Sequence, residues 1–322
     1  MLIHFVKWYI FDIFAKTKVG NYMVNLENYV VVERTPSFNF SIKLVIPSGC
    51  NMHCPFCFNI LNKETAKHNL DDFKMNFLAS LLSLVERVRK FNPNRTISLD
   101  ITGNEPTLDV DLMIYILGEI KKHRDLFNTV VLTSNGTNIV DLASYMNGVV
   151  DIVNISVHHY DDEERKDSFG LKRKDRLTYD YYLNIVRALK TEGIKVSAVS
   201  VLYKELNISF EEFIENFVKW CKSLGFNDLR IRSNFYSEDA FFVNYLNDEK
   251  MKGITIVTKG LTTKKFSYNG FEITMLMGVE SLIGHVIGVE AVVDDDGLAY
   301  LDYGKKYPII DDYIKHIYVA FP

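Results

Sequence analysis

The sequence predicts an α/β fold in which parallel strands alternate with helices and curl into a partial or full barrel of the TIM type. Three observations predict this class. Six short runs with the character of buried strands lie between residues 40 and 235. Segments with apolar residues at helical spacing separate these runs. Glycine, cysteine or polar residues follow several of the runs, at the end of the strands where such barrels carry their chemistry.

The elements follow one another in a regular order. Ser41–Ile46 is a short apolar strand, and the segment 70–91 has apolar residues at the spacing of a long helix. The remaining predicted strands of the barrel are 96–101, 128–133, 151–156, 194–202 and 228–232. The remaining predicted helices are 109–123, 139–146, 179–191 and 209–223.

The pattern changes after residue 238. Strands are predicted at 253–257, 271–277 and 285–293, and Asp294–Gly297 is a turn that leads into a hairpin with 298–302. We therefore divide the chain into an N-terminal extension (1–38), a barrel core (39–238) and a small β-rich C-terminal region (239–322).

The N-terminal extension is expected to contain a strand at Tyr29–Glu33. Leu2–Ala15 is its only apolar segment, but it is shorter than the roughly 20 residues of a membrane span and is interrupted by His4, Lys7 and Asp12. We interpret it as an amphipathic helix that packs on the core, with weak attachment to a membrane surface as the alternative. No membrane span is expected.

Composition excludes some functions. Charged residues are 24% of the chain and the net charge is −4, so no nucleic-acid footprint is visible. Four cysteines, three of them within eight positions, do not form a disulfide framework. A reducing cytoplasm is the expected location.

The clustered cysteines are Cys50, Cys54 and Cys57, spaced C-x3-C-x2-C directly after the first strand. A closed zinc site needs four ligands, which His53 could in principle complete. A cubane iron–sulfur cluster bound by three thiolates instead keeps one iron open for chemistry. Spacing alone leaves both centres possible.

The cysteine loop, with Phe56 before the third cysteine, resembles the signature of the radical S-adenosylmethionine (SAM) superfamily. The resemblance implies a partial (β/α)6 barrel and a [4Fe–4S] cluster on Cys50, Cys54 and Cys57. It also implies that the open iron chelates the methionine part of SAM, and that an electron from a donor such as flavodoxin or ferredoxin releases a 5′-deoxyadenosyl radical. Phe56 is expected to lie at the cofactor.

The second strand ends in Gly103-Asn104-Glu105-Pro106, which is similar to the Gly-Gly-Glu-Pro segment of that family. In the family this segment holds the methionine ammonium of SAM through its backbone and glutamate. Asn104 replaces the second glycine, but asparagine also tolerates a left-handed backbone. All four residues are therefore expected at the cofactor, although a simple Gly–Pro turn is the alternative.

The ends of the next three strands resemble the family's SAM contacts. Ser134 and Asn135 match its Ser-Asn-Gly segment, which lies near the methionine and ribose, although an Asn–Gly turn explains the same residues. Ser156 is the candidate for a ribose hydroxyl. Ser200 would flank adenine and ribose.

Two further roles are implied after the fourth strand. His158 is the candidate catalytic residue, because it could position SAM or move a proton on the substrate. If the strand continued, His158 and His159 would point to opposite faces. An arginine of this segment often pairs with the SAM carboxylate; we choose Arg173, while a solvated charge run is the default interpretation of the segment. The other arginines that qualify are Arg165 and Arg176.

Two features lie outside these motifs. Arg230 and Arg232 alternate with apolar residues on the sixth strand and could face an anionic substrate or pair with carboxylates of the chain. Cys221 lies on an amphipathic helix and is interpreted as a core residue, with hydrogen-atom donation in an epimerase as the minor alternative.

The expected function is that of a radical SAM enzyme acting on an unidentified small molecule, nucleotide or peptide. The cysteines of an auxiliary cluster are missing from the C-terminal region. Viperin-like nucleotide chemistry, epimerisation, dehydration and peptide modification remain open. The alternative from another class is a non-catalytic zinc- or iron–sulfur-binding interaction protein on a decayed barrel.

Overall fold

The structure is a computed structural model that describes residues 40–57, 70–91, 93–170, 177–202, 206–233, 254–259, 263–276 and 289–300. Its described strands form one sheet in the order β11-β10-β1-β2-β3-β4-β5-β6-β9-β8-β7. These strands are β1 (Phe40–Ile46), β2 (Ile97–Gly103), β3 (Thr129–Ser134), β4 (Ile152–Ser156), β5 (Lys195–Leu202), β6 (Asp228–Ser233), β7 (Ile254–Lys259), β8 (Thr263–Tyr268), β9 (Phe271–Leu276), β10 (Val289–Val293) and β11 (Ala299–Tyr300).

Helices connect the first six strands. They are α1 (Leu70–Phe91), α2 (Val110–Lys122), α3 (Ile139–Met146), α4 (Asp162–Ser168), α5 (Tyr179–Thr191) and α6 (Phe210–Leu224). Strands β1 to β6 are all paired in parallel with their neighbours. The strands and helices thus alternate as in a partial TIM-type barrel, which confirms the predicted fold class.

The ends of the helices follow local capping chemistry. The side chain of Asp109 accepts a hydrogen bond from the backbone N–H of Leu112, and Ser209 accepts one from Glu212. Gly225 ends α6 in a left-handed conformation (φ 90°) and donates to the carbonyl of Cys221. These caps explain why the predicted bounds of these two helices, 109–123 and 209–223, differ from the observed ones by only one residue at each end.

The sheet has two chemically different faces. Along β1, Phe40, Ile42 and Leu44 are at most 2% exposed and join the same apolar core as the helices. The residues between them are partly exposed, and Lys43 pairs there with Asp100 of β2. We call this second, polar face the inner face, because right-handed crossovers place all helices on the other side.

The C-terminal strands extend the same sheet at both edges. Strand β9 lies parallel to β6, while β10 lies parallel to β1. The predicted hairpin is confirmed, since β10 and β11 are antiparallel. Gly297 of its turn lies so close to α1 that a Cβ atom there would be 2.8 Å from the nitrogen of Phe77. The boundary between the core and the C-terminal region remains a prediction.

One strand and one α-helix were not predicted. Strand β8 pairs with β7 and β9, although its sequence TKKFSY carries three polar residues before its first aromatic residue. Helix α4 occupies part of the segment interpreted as a charge run. Its start is fixed by Asp161, whose carboxylate accepts hydrogen bonds from the N–H groups of Glu163 and Glu164.

Some predictions fall outside the described residues, namely those for Leu2–Ala15, Tyr29–Glu33, Arg173 and Arg176. In the part of the chain that is described, no helix is both long and apolar enough to cross a membrane.

Candidate functional site

The cysteine loop follows β1 directly and presents three free thiols. Cys50 is exposed, while Cys54 and Cys57 are partly buried. Burial raises the pKa of Cys54 to about 12, and the neighbouring Cys57 and Cys50 contribute to this increase. Cys57 and Cys50 are therefore close enough to Cys54 to raise its pKa. A bound cation would oppose this effect, because coordination deprotonates a thiol.

The donor set fits an iron–sulfur cluster better than a closed zinc site. Three thiolates are the soft ligands that such clusters use. His53, the possible fourth zinc ligand, is exposed, and its backbone N–H donates to the carbonyl of Phe169 at 2.9 Å. Within the described ranges, no three His, Cys, Asp or Glu side chains converge on a position for a single metal ion.

The loop after β2 holds the start of the cysteine loop. The hydroxyl of Ser48 donates to the carbonyl of Glu105 at 2.6 Å, and the N–H of Glu105 donates to Gly49 at 3.1 Å. The amide of Asn104 donates to the carbonyl of Ser48 at 2.9 Å. A Cβ atom on Gly103 (φ 143°) would lie 2.7 Å from the carbonyl oxygen of Ile46, so this close approach requires glycine. Gly103, Asn104 and Glu105 thus lie against the end of β1 and the start of the cysteine loop. Pro106, which follows them, is buried.

The Glu105 carboxylate is the centre of a buried network. It is 1% exposed, and its Oε1 accepts hydrogen bonds from the N–H and hydroxyl of Thr107 (3.1 and 2.6 Å) and the hydroxyl of Ser134 (2.7 Å). Its Oε2 accepts one, from the N–H of Asn135 at 2.6 Å. Burial raises the pKa of Glu105, and these hydrogen bonds oppose the increase. Only Oε2 keeps a lone pair that a ligand's ammonium could use.

Asn135 connects the loop after β3 to the cysteine loop. Its Nδ2 donates to Asn51 at 2.9 Å, and its Oδ1 accepts from the N–H (3.0 Å) and hydroxyl (2.6 Å) of Thr137. Asn51 in turn donates to the hydroxyl of Thr137 at 2.9 Å. The network therefore joins the predicted Glu105, Ser134 and Asn135 in one place. Sequence reasoning missed Asn51, Thr107 and Thr137, whose only signal is their position inside or beside the recognised motifs.

His158 packs against Phe56 of the cysteine loop. Its ring lies 4.8 Å from that of Phe56 and 4.6 Å from that of Phe169. Its Nδ1 accepts a hydrogen bond from the N–H of Val201 at 3.2 Å, which leaves the proton on Nε2. Burial lowers the pKa of His158 to about 3, so the ring is neutral and a weak proton acceptor near neutral pH. This geometry favours positioning over proton transfer.

The strand does not continue to His158 and His159, because β4 ends at Ser156 as predicted, so the condition for their alternation is not met. His158 has a left-handed backbone (φ 58°), which is unusual for histidine. His159 stacks on Tyr160, with ring centroids 4.5 Å apart, and its Nδ1 accepts from the N–H of Asp161.

The two predicted serines lie on opposite faces of the sheet. Ser156 pairs in register with Val199, and both belong to the inner face. Ser200 is fully buried on the helix-packed face, and its hydroxyl donates to the carbonyl of His158 at 2.5 Å. The structure therefore does not bring Ser200 to the inner face. Side chains alternate along a strand, so the valines on either side of Ser200, Val199 and Val201, face inward and Ser200 does not.

Arg165 is committed to the interior of the protein. It is fully buried, its guanidinium donates to the carbonyls of Leu177, His159 and Tyr160, and it pairs with Asp162. The same group lies 4.9 Å from the ring of Trp220. Of the three arginines considered for the SAM carboxylate, Arg165 is therefore occupied by the protein itself.

The predicted core position of Cys221 is confirmed. Its side chain is 0% exposed and belongs to the apolar core, and burial raises its pKa well above the usual value. Its apolar surroundings therefore differ from those of the three thiols of the cysteine loop.

Comparison with known proteins identifies relatives of this chain. The family model described as the Radical SAM superfamily matches residues 44–217. A probable GTP 3′,8-cyclase of Thermoplasma volcanium is 25% identical over 170 residues, which are 52% of this chain and 47% of that protein. This chain thus spans about half the length of that relative.

Two solved structures of SuiB from Streptococcus suis are also similar. SuiB bound to S-adenosylmethionine is 19% identical with a TM-score of 0.45, and the match covers 66% of this chain and 44% of SuiB. SuiB bound to its precursor peptide SuiA is 17% identical with a TM-score of 0.43, over 62% of this chain and 40% of SuiB.

Proposed function

This chain belongs to the radical SAM superfamily, whose cofactors are a [4Fe–4S] cluster and SAM, and we propose that it cleaves SAM reductively to abstract hydrogen from a substrate. Cys50, Cys54 and Cys57 would hold the cluster. The observation that carries the proposal is the set of three free thiols in one loop at the end of β1, within the matched residues.

The cofactors supply the radical chemistry when bound, and the residues of the chain bind, orient and shield them. Oε2 of Glu105 would accept a hydrogen bond from the ammonium of SAM, together with the backbone of Gly103 and Asn104. Ser156 would contact the ribose from the inner face. Phe56 would shield the cysteine loop from water, since its ring packs on His158.

His158 would act by position in this site. Its neutral ring supports Phe56, and Nε2–H is available as a donor toward the inner face or the cofactor. The Ser200 hydroxyl donates to its backbone carbonyl, and the Val201 N–H donates to Nδ1 of its ring. We propose that Ser200 acts indirectly, by fixing His158, and that Arg173 or Arg176 pairs with the SAM carboxylate.

The substrate and reaction are open within this class. The similar GTP 3′,8-cyclase makes a nucleotide the first substrate class to test. Viperin-like nucleotide chemistry, epimerisation, dehydration and peptide modification are the reactions we consider. An electron donor such as flavodoxin or ferredoxin and a cytoplasmic location would suit a reducible cluster with accessible thiols.

The test is SAM cleavage by the anaerobically reconstituted chain. We expect a brown protein that forms 5′-deoxyadenosine from SAM with a chemical reductant. Replacing Cys50, Cys54 or Cys57 with Ala should abolish both the colour and the product, because each change removes an iron ligand. Cys221→Ala is the matched control and should keep both. A colourless parent that leaves SAM intact would favour the non-catalytic alternative.

A further inference from the structure

A second polar feature lies on the inner face of β6, away from the cysteine loop. Leu229 and Ile231 are fully buried in the core that the strands share with the helices. Because side chains alternate along a strand, Asp228 and Arg230 face the opposite, inner side of the sheet. From the sequence, an arginine here could serve either an anionic substrate or a carboxylate of the chain.

The charges at this position do not balance. The carboxylate of Asp228 is 2% exposed and lies between two cations. Lys195 Nζ is 2.6 Å from its Oδ2, and Arg230 Nε is 3.4 Å from its Oδ1. Asp228, Lys195 and Arg230 together carry one net positive charge, since Glu272, which pairs in register with Asp228, forms its own ion pair with Lys265 at 3.8 Å. By contrast, Lys43 and Asp100 on β1 and β2 form a balanced pair.

The two terminal nitrogens of the Arg230 guanidinium are available to bind a ligand. Its ion pair with Asp228 is made through Nε, and no hydrogen bond joins either terminal nitrogen to a residue that the structure describes. The side chain is 25% exposed, so these nitrogens are accessible. A forked guanidinium binds carboxylates and phosphates through two parallel hydrogen bonds. Its charge and shape therefore both suit an anion.

The neighbouring strand adds a hydroxyl group. Thr274 of β9 pairs in register with Arg230 and is 8% exposed. Across the described ranges, its hydroxyl has no hydrogen-bond partner, so it can donate to the same ligand. Arg230 and Thr274 together form what we call the β6 anion site.

The β6 anion site lies beside the position proposed for the cofactor. Ser156, Val199 and Arg230 occupy neighbouring register positions on β4, β5 and β6. Two strand spacings separate Ser156 from Arg230, which is about 10 Å between their Cα atoms. A ligand group at Arg230 would therefore be a close neighbour of a ribose at Ser156.

We infer that the substrate carries a carboxylate or phosphate group that Arg230 and Thr274 bind. This inference rests on the proposed function, since it assigns the anion to the substrate of that reaction. The other possible source of the anion is the carboxylate of SAM itself, which the experiment must separate.

The experiment measures binding of two probes, inorganic phosphate and succinate, to the reconstituted full chain by calorimetry at constant ionic strength. We expect the parent to bind at least one of them, and Arg230→Gln to bind it about ten- to a hundredfold more weakly, because a charge-assisted hydrogen bond is lost. Arg230→Lys should recover only part of this loss, since lysine lacks the fork. Lys122→Gln is the matched control, because Lys122 is an exposed cation on α2, and its affinity should equal that of the parent.

A second variant covers the case in which Arg230→Gln does not fold. Thr274→Val keeps the side-chain shape and removes the hydroxyl, and should weaken probe binding by several-fold. The inference is overturned if neither probe binds the parent, or if the variants bind as tightly as the parent does.

Titration with saturating SAM separates the two sources of the anion. If the β6 anion site belongs to the substrate, SAM and the probe should bind together. Displacement of the probe by SAM would assign Arg230 to the SAM carboxylate and overturn the substrate assignment. Formation of 5′-deoxyadenosine by the parent is scored separately, so Arg230-dependent probe binding without SAM cleavage would contradict the proposed function alone.

Discussion

Two regions differ in whether the protein itself forms hydrogen bonds with their buried polar groups. One region is the pair of loops after β2 and β3, and the other is the inner face of β4 to β6. At the cysteine loop, Glu105, Ser134 and Asn135 bind one another and the backbone of the loops. On the inner face, the buried Oδ1 of Asn154 and Oγ of Ser197 have no hydrogen-bond partner within the described part of the chain.

We call the cysteine loop and the loops after β2 and β3 the frame, and we call the inner face of β4 to β6 the binding surface. Buried polar groups are normally hydrogen-bonded, so unsatisfied ones point to water or a ligand. The polar groups around Glu105 are hydrogen-bonded to one another and to the loop backbone, so changes there should act first on stability. The described part of the inner face has buried polar groups without a hydrogen-bond partner in the protein, so changes there should act first on binding.

The largest effect on the frame is expected from Glu105→Ala. This change removes the acceptor of Thr107, Ser134 and Asn135 and leaves several buried donors unsatisfied. We expect a loss of at least about 3 kcal/mol in the free energy of unfolding, measured by urea denaturation. Glu163→Ala, at a side chain that is 78% exposed, should change it by less than about 0.5 kcal/mol. Equal stability of the two variants would remove Glu105 from the frame.

Gly170→Ala tests the contact between the frame and the segment after α4. Gly170 has φ +60°, and a Cβ atom there would lie 2.3 Å from the carbonyl oxygen of His53. Gly193 has φ +73° but nothing within 4 Å of its Cβ position, so Gly193→Ala has the same backbone strain without the clash. We expect Gly170→Ala to be less stable than this control by about 1–3 kcal/mol and to retain less iron. Matching values would show that the cysteine loop adapts freely.

The pH dependence of stability tests the burial of His158. Burial lowers the pKa of this ring from its ordinary value of 6.5, which we take for the unfolded chain, to about 3 in the fold. Between these values only the unfolded state binds the proton, so stability falls as pH falls. From pH 7 to pH 5 the loss should be about 2 kcal/mol. The measurement is urea unfolding of the parent and of His158→Asn, in which asparagine tolerates the left-handed backbone and does not titrate.

Subtracting the two curves removes the titration of Glu105, whose raised pKa acts in the opposite direction. If the parent and His158→Asn lose equal stability between pH 7 and pH 5, then His158 is hydrated in the folded protein and does not belong to the frame.

The smallest effect is expected for Cys221→Ala, which belongs to neither region. Cys221 is a small side chain in the apolar layer between α6 and the sheet. Its replacement should cost about 1 kcal/mol in unfolding free energy and leave SAM cleavage unchanged. Retained SAM consumption with loss of the substrate-derived product would instead indicate that this thiol donates a hydrogen atom.

The order of strands and helices could be predicted because, for each element, the spacing of the apolar residues and the length of the segment indicate the same type of secondary structure. The positions of Gly103, Glu105 and Asn135 were also predictable, since recognisable motifs carry them to adjacent strand ends. Ser200 was not, because a shift of one residue along β5 reverses the face of a side chain. The burial of Arg165 could not be predicted either. A charged residue in a charged segment gives no sign that two aromatic rings and three carbonyls enclose its side chain.

The strands that flank the barrel show the same limit. The pairing of β10 with β1 joins residues about 250 positions apart, which no local pattern specifies. The availability of the Arg230 guanidinium likewise depends on Lys195 of β5, because Lys195 and Arg230 share the carboxylate of Asp228.

The most direct test of the cluster assignment is iron analysis combined with electron paramagnetic resonance of the reduced chain, with and without SAM. We expect about four irons per chain and a spectrum that changes when SAM is added, because SAM binds the iron that no cysteine holds. Cys54→Ala should lose both properties, and Cys221→Ala should keep both. One zinc per chain, or an iron signal that is the same in Cys54→Ala and does not respond to SAM, would contradict the assignment.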